Sequence, residues 1–240
     1  MKKRYGIIAI LLAVLFFSIS TVFATTDSPI DDSDAIDGGI SNSEYEEEFD
    51  KVVERIYNLR EEGFSFEEID SALEKDSIKK EGALNVKGMS PSDKFYDYAH
   101  LNDIEKKLFK ENRSKALLCL ANGKLALKYS QEMYESSVLH NGNGDAFRHT
   151  LWNYGMAIDV GQGFAKKWAD AHENGAKGQP KLEKQMDLYN NKIGRKLAKT
   201  YPNTKSHSTF KKNSRAKVRA GKCRIISGKG LVKSSKKGER

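Results

Sequence analysis

The chain has 240 residues, 38% of them apolar, and its 41 Lys and Arg against 33 Asp and Glu give a formal net charge of +8. This length suits one domain with a hydrophobic core, together with terminal segments. The two cysteines, Cys119 and Cys223, exclude a disulfide-built scaffold; Cys119 lies in an apolar run that favours simple burial, and one bridge to Cys223 is the alternative.

The N-terminus has the pattern of a secretory signal peptide. Basic residues at positions 2–4 precede the apolar run 6–17, and a small-residue pattern ends at Ala24. We therefore predict that residues 1–24 are removed and that the mature protein is secreted, either extracellular or associated with the cell envelope. The alternative is an uncleaved membrane anchor, because the apolar stretch approaches the ~20 residues that span a bilayer.

Residues 25–43 are rich in Asp and poor in aromatic residues, which predicts an acidic disordered linker. A helical hairpin is predicted at 44–76, where one amphipathic helix ends before Ser65, and Ser65 with Glu68 has the capping-box spacing of the next helix. Glycine and proline then interrupt the period, so residues 77–93 are predicted to be a hinge.

Residues 94–200 are predicted to form the main helical domain, which carries the polar site. Asn102 and Glu105 have capping-box spacing, and no alternating apolar run of useful length occurs in this segment. The fold class is therefore all-α: a compact helical domain preceded by a helical hairpin, with the acidic linker on one side and a basic tail on the other. Further helices are predicted at 112–120, 124–139, 145–160, 164–173 and 182–199.

Residues 201–240 are predicted to be a basic tail, within which residues 222–232 can form one short β-hairpin. Residues 192–240 contain 17 Lys or Arg and a single acid, whereas residues 25–50 contain 10 acids and no Lys or Arg. On an exported protein such a tail attracts an anionic cell-wall polymer or a membrane surface. The sequence carries no specific nucleic-acid motif, and the alternative is that both ends are simply solvated.

Asp145, His149 and Asn153 recur at four-residue steps and so share one helical face, with Trp152 beside them. An Asp one turn before a His can hold the imidazole tautomer for base catalysis, or both can ligate one metal ion. Asp145 also lies in the first turn of the predicted helix, where it can simply stabilise the helix start. Trp152 is a candidate for the rim of a substrate site.

The next polar pair, His172-Glu173, follows apolar residues at helical steps. Neighbouring residues on a helix point about 100° apart, so only one of the two can face a given site squarely. We predict that His172 points inward as a base or metal ligand and that Glu173 is second to it.

Asp187, Asn190, Asn191 and Gly194 lie on one face of the last predicted helix of the main domain. Asn is a poor residue for a helix interior, so two in succession indicate specific hydrogen bonds to substrate or water. The alternative is a buried polar clasp that braces the helices. Two arginines near the clusters, Arg148 and Arg195, can receive a phosphate or a carboxylate.

These three motifs, D-A-F-R-H-x-x-W from Asp145, H-E at His172 and M-D-x-x-N-N-x-x-G-R ending at Arg195, resemble an uncharacterised bacterial domain found in exported proteins and at the ends of large toxin-like polypeptides. The resemblance covers about residues 101–197. Its toxin-like settings imply a hydrolytic activity, although the resemblance names no reaction.

Two weaker similarities concern secreted enzymes. Arg148-His149 is similar to the catalytic helix of secreted bacterial phospholipases, but Thr150 stands where those enzymes have a calcium-binding Asp. The collection of His and Asp from several helices is also similar to all-helical zinc hydrolases of phosphodiesters, here with only two core histidines.

The sequence therefore predicts an exported hydrolase of envelope or extracellular polymers or lipids. His149 and His172 would be bases or metal ligands, Asp145 and Asp187 their carboxylate partners, and a divalent metal ion is an open option for these four residues. The alternative is a secreted binding module whose polar cluster is a structural clasp and whose basic tail holds anionic surfaces.

Overall fold

The computed structural model describes residues 42–78 and 100–240. The predicted signal peptide, most of the linker and most of the hinge lie outside these residues. The described part is mainly helical, which confirms the all-α class, and it ends in one small two-stranded sheet. The elements are α1 (Asn42–Glu61), α2 (Phe66–Ile78), α3 (Asp103–Glu111), α4 (Arg113–Met133), α5 (Asn143–Asp159), α6 (Gly161–Gly175), α7 (Lys181–Thr200), α8 (His207–Arg219), β1 (Arg224–Ser227) and β2 (Gly230–Lys233).

Two helix starts follow the capping-box pattern. Asn102 accepts from the backbone N–H of Glu105, and the Glu105 side chain accepts from the backbone N–H of Asn102. Before α2, the Ser65 backbone donates to Glu68 Oε2 at 2.7 Å and the Ser65 hydroxyl accepts from the Glu68 backbone at 3.4 Å. These local pairings satisfy N–H groups that have no partner inside the helix.

A single helix, α4, replaces the two helices that the sequence predicted on either side of residues 122–123. Asn122 does not end the helix, because its side chain is buried and donates to Leu118 O and to Asp159 Oδ2, at 2.8 and 2.6 Å. Gly123 faces the indole of Trp152, which a Cβ would meet at 3.4 Å. Contacts with residues distant in sequence thus explain why Asn122 and Gly123 lie inside a helix although they are typical of a turn.

Helix α5 is the centre of the domain and packs against α4, α6, α7 and α8. Its contact with α7 is close, because a Cβ on Gly194 would lie 2.2 Å from the Thr150 carbonyl oxygen and 2.9 Å from Asn153 Cβ. Both cysteines are buried and unbridged, so the disulfide alternative is not realised. Among the described helices, none has the length and apolarity needed to cross a membrane.

The segment predicted as a basic tail is folded onto the domain. Phe210 and Val218 of α8 are buried, and Cys223 leads into the hairpin, whose register pairs Arg224 with Lys233. The hairpin lies within the predicted span 222–232, apart from Lys233. Burial of these apolar side chains against α5 holds the segment in place, while most of its Lys and Arg remain at the surface.

A buried polar cluster joins the helical hairpin to the main domain. The guanidinium of Arg60 forms an ion pair with Asp159, and its Nη1 lies 3.4 Å from His207 Nε2. His207 is 4% exposed, and burial, followed by the charges of Arg60 and Lys211, lowers its pKa to about 3. His207 is therefore a neutral imidazole in the folded protein.

We expect Gly194→Ala to destabilise the fold by about 1–3 kcal/mol, because the added Cβ forces α5 and α7 apart. The matched control is Gly163→Ala in the first turn of α6, where a Cβ has nothing within 4 Å. The control should be neutral or stabilising by up to about 1 kcal/mol. Urea unfolding measures both, and equal stabilities of the two variants would contradict the close approach.

The free energy of unfolding should decrease as the pH is lowered below about 6.5, because of His207. Its folded pKa of about 3 lies below the ordinary 6.5, so its contribution is complete above pH 6.5 and is lost progressively as the unfolded chain takes up the proton below it. In urea unfolding at pH 7.5 and 5.0, His207→Gln should show a smaller difference between the two pH values than the wild type. The exposed Asn203 has no titrating group, and Asn203→Gln should retain the wild-type difference.

Candidate functional site

One face of α5 carries Asp145, His149 and Asn153, as their spacing predicts, and all three are at most 3% exposed. The turn before the helix contains Asn141 with a positive φ of 60°, and its backbone N–H donates to Asp145 Oδ2 at 2.7 Å. Asp145 thus holds the helix start and also faces His149, with 3.5 Å between Asp145 Oδ1 and His149 Nε2.

The imidazole of His149 lies at the centre of the site. Its Nε2 is 3.2 Å from Asp187 Oδ1, while its Nδ1 is 3.1 Å from Asn191 Oδ1 and 3.5 Å from Glu173 Oε1. Glu173 accepts a hydrogen bond from Asn191 Nδ2 at 3.0 Å, which turns the amide oxygen of Asn191 toward His149. Nδ1 therefore carries the proton, and Nε2 presents its lone pair to the carboxylates.

Burial and neighbouring charges shift the pKa values of three ionisable groups in the site. Burial and then Arg148 lower the pKa of His149, so its ring is neutral. Burial acts to raise the pKa of Asp145, but Arg148 and His149 outweigh it and the pKa is lowered. Burial and then the charges of Glu173 and Asp145 raise the pKa of Asp187 well above its usual range. Asp187 therefore needs a proton or a cation beside it.

Of the pair His172-Glu173, Glu173 faces the site and His172 does not, the opposite of the prediction. Glu173 is 1% exposed and faces His149, whereas His172 Nδ1 pairs with Glu105 Oε1 at 3.0 Å on another side of α6. Burial acts to lower the pKa of His172, but the hydrogen bond to Glu105 outweighs it and the pKa is raised. The rotation of α6 about its own axis decides this, since the apolar face that includes Trp168 is turned into the core.

Trp152 lies between the two imidazoles. Its ring is 6.3 Å from that of His149 and 5.3 Å from that of His172, with edge-to-face geometry in both cases. Its Nε1 donates to Cys119 O at 2.9 Å. Because the indole is only 7% exposed, Trp152 is a packing residue, and it separates His149 from the His172–Glu105 pair.

The two consecutive asparagines of α7 point to different partners. Asn191 Oδ1 accepts from Asn153 Nδ2 at 2.7 Å, and Arg195 Nη1 donates to Asn153 Oδ1 at 2.6 Å. The side chain of Asn190 instead donates to the Arg224 carbonyl oxygen at 2.8 Å and accepts from the Arg224 backbone N–H at 2.9 Å. Asn190 thus anchors β1 to α7 and does not face His149, contrary to the prediction that both amides position substrate.

Two contributors to the site were missed by sequence reasoning. Gln179 Nε2 donates to Asp187 Oδ2 at 2.8 Å and lies 3.3 Å from Glu173 Oε2. Gln179 belongs to the loop before α7, where periodicity carries no information. Asn141 Nδ2 donates to Glu183 Oε1 at 2.7 Å, and the unusual backbone of Asn141 could have been suspected from its Asn-Gly context.

Arg148 covers the outer side of the site. Its Nη2 donates to Asp145 Oδ1 at 2.6 Å and lies 3.1 Å from His149 Nε2. Its side chain is 27% exposed, whereas those of Asp145 and His149 are 3% exposed. Arg148 is therefore the member of this group through which the site meets solvent.

Three of the four predicted metal ligands converge. One ligand atom each from Asp145, His149 and Asp187 lies within 4.8 Å of the others, whereas His172 pairs elsewhere. Ligand atoms about 2.1 Å from a shared metal are about 3.0–3.4 Å apart, which the spacings of 3.2 and 3.5 Å around His149 Nε2 approach. Asp187 Oδ1 is buried and accepts no hydrogen bond within the described residues. This donor set fits a divalent cation.

Replacing Asn191 with Ala should destabilise the fold by roughly 2–4 kcal/mol, because three buried groups on Asn153, His149 and Glu173 lose a partner. Thermal and urea unfolding measure the change. The exposed Asn203 provides the control, and Asn203→Ala should remain within about 0.5 kcal/mol of the wild type. A loss below that value for Asn191→Ala would show that the network contributes little.

Residues 106–222, just under half of the chain, match the model of a family described as a domain of unknown function, DUF6973. The matched segment contains His149, Asp145, Glu173 and Asp187, together with α8, and it ends before the hairpin. This agrees with the resemblance to an uncharacterised domain family and specifies no activity. No curated protein and no solved structure matches the chain.

Proposed function

We propose that this protein is an exported, metal-assisted hydrolase of envelope or extracellular polymers or lipids. The observation that carries the proposal is the convergence of His149 Nε2 with carboxylate oxygens of Asp187 and Asp145 at 3.2 and 3.5 Å in a buried site. A divalent cation held by these atoms would lower the pKa of a bound water and supply a hydroxide nucleophile near neutral pH.

The groups behind His149 support this assignment. Asn191 and Glu173 both face Nδ1, so they fix the tautomer in which Nε2 is the ligand atom. A carboxylate or carbonyl behind a histidine is the usual arrangement around protein metal ions, where it orients the ring and raises its basicity. Gln179 in turn orients Asp187 through its Oδ2.

A purely structural clasp accounts less well for the same residues. Buried clasps satisfy each polar group, and Asn153, Asn191 and Glu173 do so. Asp187 Oδ1, however, accepts no hydrogen bond within the described part of the chain and lies close to other carboxylates. Such an acceptor needs either a proton on Asp187 or a cation beside it, and only the cation uses the neighbouring His149 and Asp145 as ligands.

The folded basic segment would bring a polyanionic substrate to the site. Residues 192–240 carry 17 Lys or Arg and one acid, and most of these side chains lie at the surface. Positive charge attracts anionic wall polymers and lipid headgroups and raises their local concentration. The pattern of residues 1–24 supports action outside the cytoplasm, where such substrates are found.

The test is hydrolysis by the chain beginning at residue 25, assayed on phospholipid vesicles, peptidoglycan and nucleic acid, with Zn²⁺ or Mn²⁺ and with EDTA. We expect turnover of at least one substrate, and a loss of more than about 100-fold in Asp187→Asn and His149→Ala, since even residues behind a ligand contribute 10–100-fold. His140→Gln, at an exposed imidazole, should stay within about twofold.

Metal analysis of the purified chain accompanies the assay. If no divalent ion binds, no substrate is turned over, and His149→Ala merely lowers the melting temperature, the proposal is wrong and the polar cluster is structural. Turnover that persists in EDTA would instead point to a metal-free His-Asp general base.

A further inference from the structure

The guanidinium of Arg148 contacts Asp145 and His149, two of the three side chains that would hold a cation. Its Nη2 lies 2.6 Å from Asp145 Oδ1 and 3.1 Å from His149 Nε2, and its Nε donates to Asp145 Oδ1 at 3.2 Å. Asp145 and His149 are both candidate metal ligands. Arg148 therefore partly neutralises the carboxylates at the position where a divalent cation would do so.

These two arrangements exclude each other at His149. A neutral imidazole has a single lone pair on Nε2, and that lone pair either accepts from Arg148 or binds a metal ion. A guanidinium has donors only, so it cannot share the ligand atom with a cation. Binding of a cation by His149 Nε2 thus requires Arg148 to move away.

The Arg148 side chain borders solvent, since it is 27% exposed whereas that of Asp187 is 8% exposed, so an outward movement would take the guanidinium into water. Once it leaves Asp145, its planar fork has donors free for an oxyanion. Before a cation enters, the Asp145 carboxylate occupies the Arg148 fork and would repel an anion from the same position. Anion binding should therefore follow cation binding.

We propose that a divalent cation and Arg148 exchange at this site, and that the displaced guanidinium receives a phosphoryl oxygen of the substrate. The inference rests on the proposed function, because it uses the same cation site and names phosphodiester-containing substrates as its class. A divalent cation together with a guanidinium suits a phosphoryl group, and the surface charge of residues 192–240 favours polyanions of this kind.

The exchange can be observed directly in the chain labelled with ¹⁵N-arginine. Arg148 Nε–H, assigned from its absence in Arg148→Gln, should shift and exchange with water at least tenfold faster when Zn²⁺ is added. Arg215 is the control, since its Nε also donates to a carboxylate, that of Glu239, and its exposure of 32% is similar. Its signal should not change.

Ligand binding provides the second readout, with dimethyl phosphate as the phosphodiester probe and acetate as the other oxyanion. Calorimetry should show at least tenfold tighter dimethyl phosphate binding with Zn²⁺ than with EDTA. Arg148→Gln should lose most of that gain, while Arg215→Gln keeps it. Acetate should bind more weakly than dimethyl phosphate in the presence of Zn²⁺.

The outcomes separate this inference from the proposed function. If Zn²⁺ binds and supports turnover but the Arg148 signal is unchanged, or Arg148→Gln binds dimethyl phosphate as the wild type does, the exchange is wrong and the hydrolase proposal stands. Equal or tighter binding of acetate overturns the phosphoryl assignment. If Zn²⁺ does not bind at all, the exchange and the metal-assisted proposal both fail.

Discussion

The burial of α5 among four other helices is the constraint on which the site depends. Because nearly every residue of this helix is enclosed, most of its buried polar side chains find a partner on a neighbouring element. Asn153 and His149 meet Asn191 of α7, and Asn191 meets Glu173 of α6. The same hydrogen bonds that make this burial tolerable also fix the tautomer and orientation of His149, so stability and site geometry have one origin.

This hydrogen-bond arrangement requires α5 and α7 to approach each other closely. Gly194 allows the backbones to come together, and only then can the short side chain of Asn191 span the interface to two partners on α5. Gln179 enters from the loop before α7 and completes the environment of Asp187. The site is consequently built from two adjacent helices, α5 and α7, with α6 supplying the carboxylate behind the imidazole.

Charge decides what the site can accept. Asp145, Glu173 and Asp187 lie within one buried group, and like charges at such distances are unfavourable unless a proton, a guanidinium or a cation compensates them. Arg148 supplies one compensating charge from the solvent side. The hairpin that follows α8 is fixed to α7 through Asn190, so the basic surface and the site belong to one folded unit. This coupling connects the proposed polyanionic substrate to the proposed cation.

The sequence by itself determined what depends on local geometry: the helical class, the capping boxes at Ser65 and Asn102, and the shared face of Asp145 and His149. These follow from the fixed angle and rise between residues of one helix. Only the tertiary structure showed that Glu173 and not His172 faces His149, that Asn190 bonds β1 outside the site, and that the residues after Pro202 are folded. Each choice depends on how a helix is rotated about its own axis against its neighbours, and that rotation is set by the packing of side chains distant in sequence, as at Trp168 and Phe210.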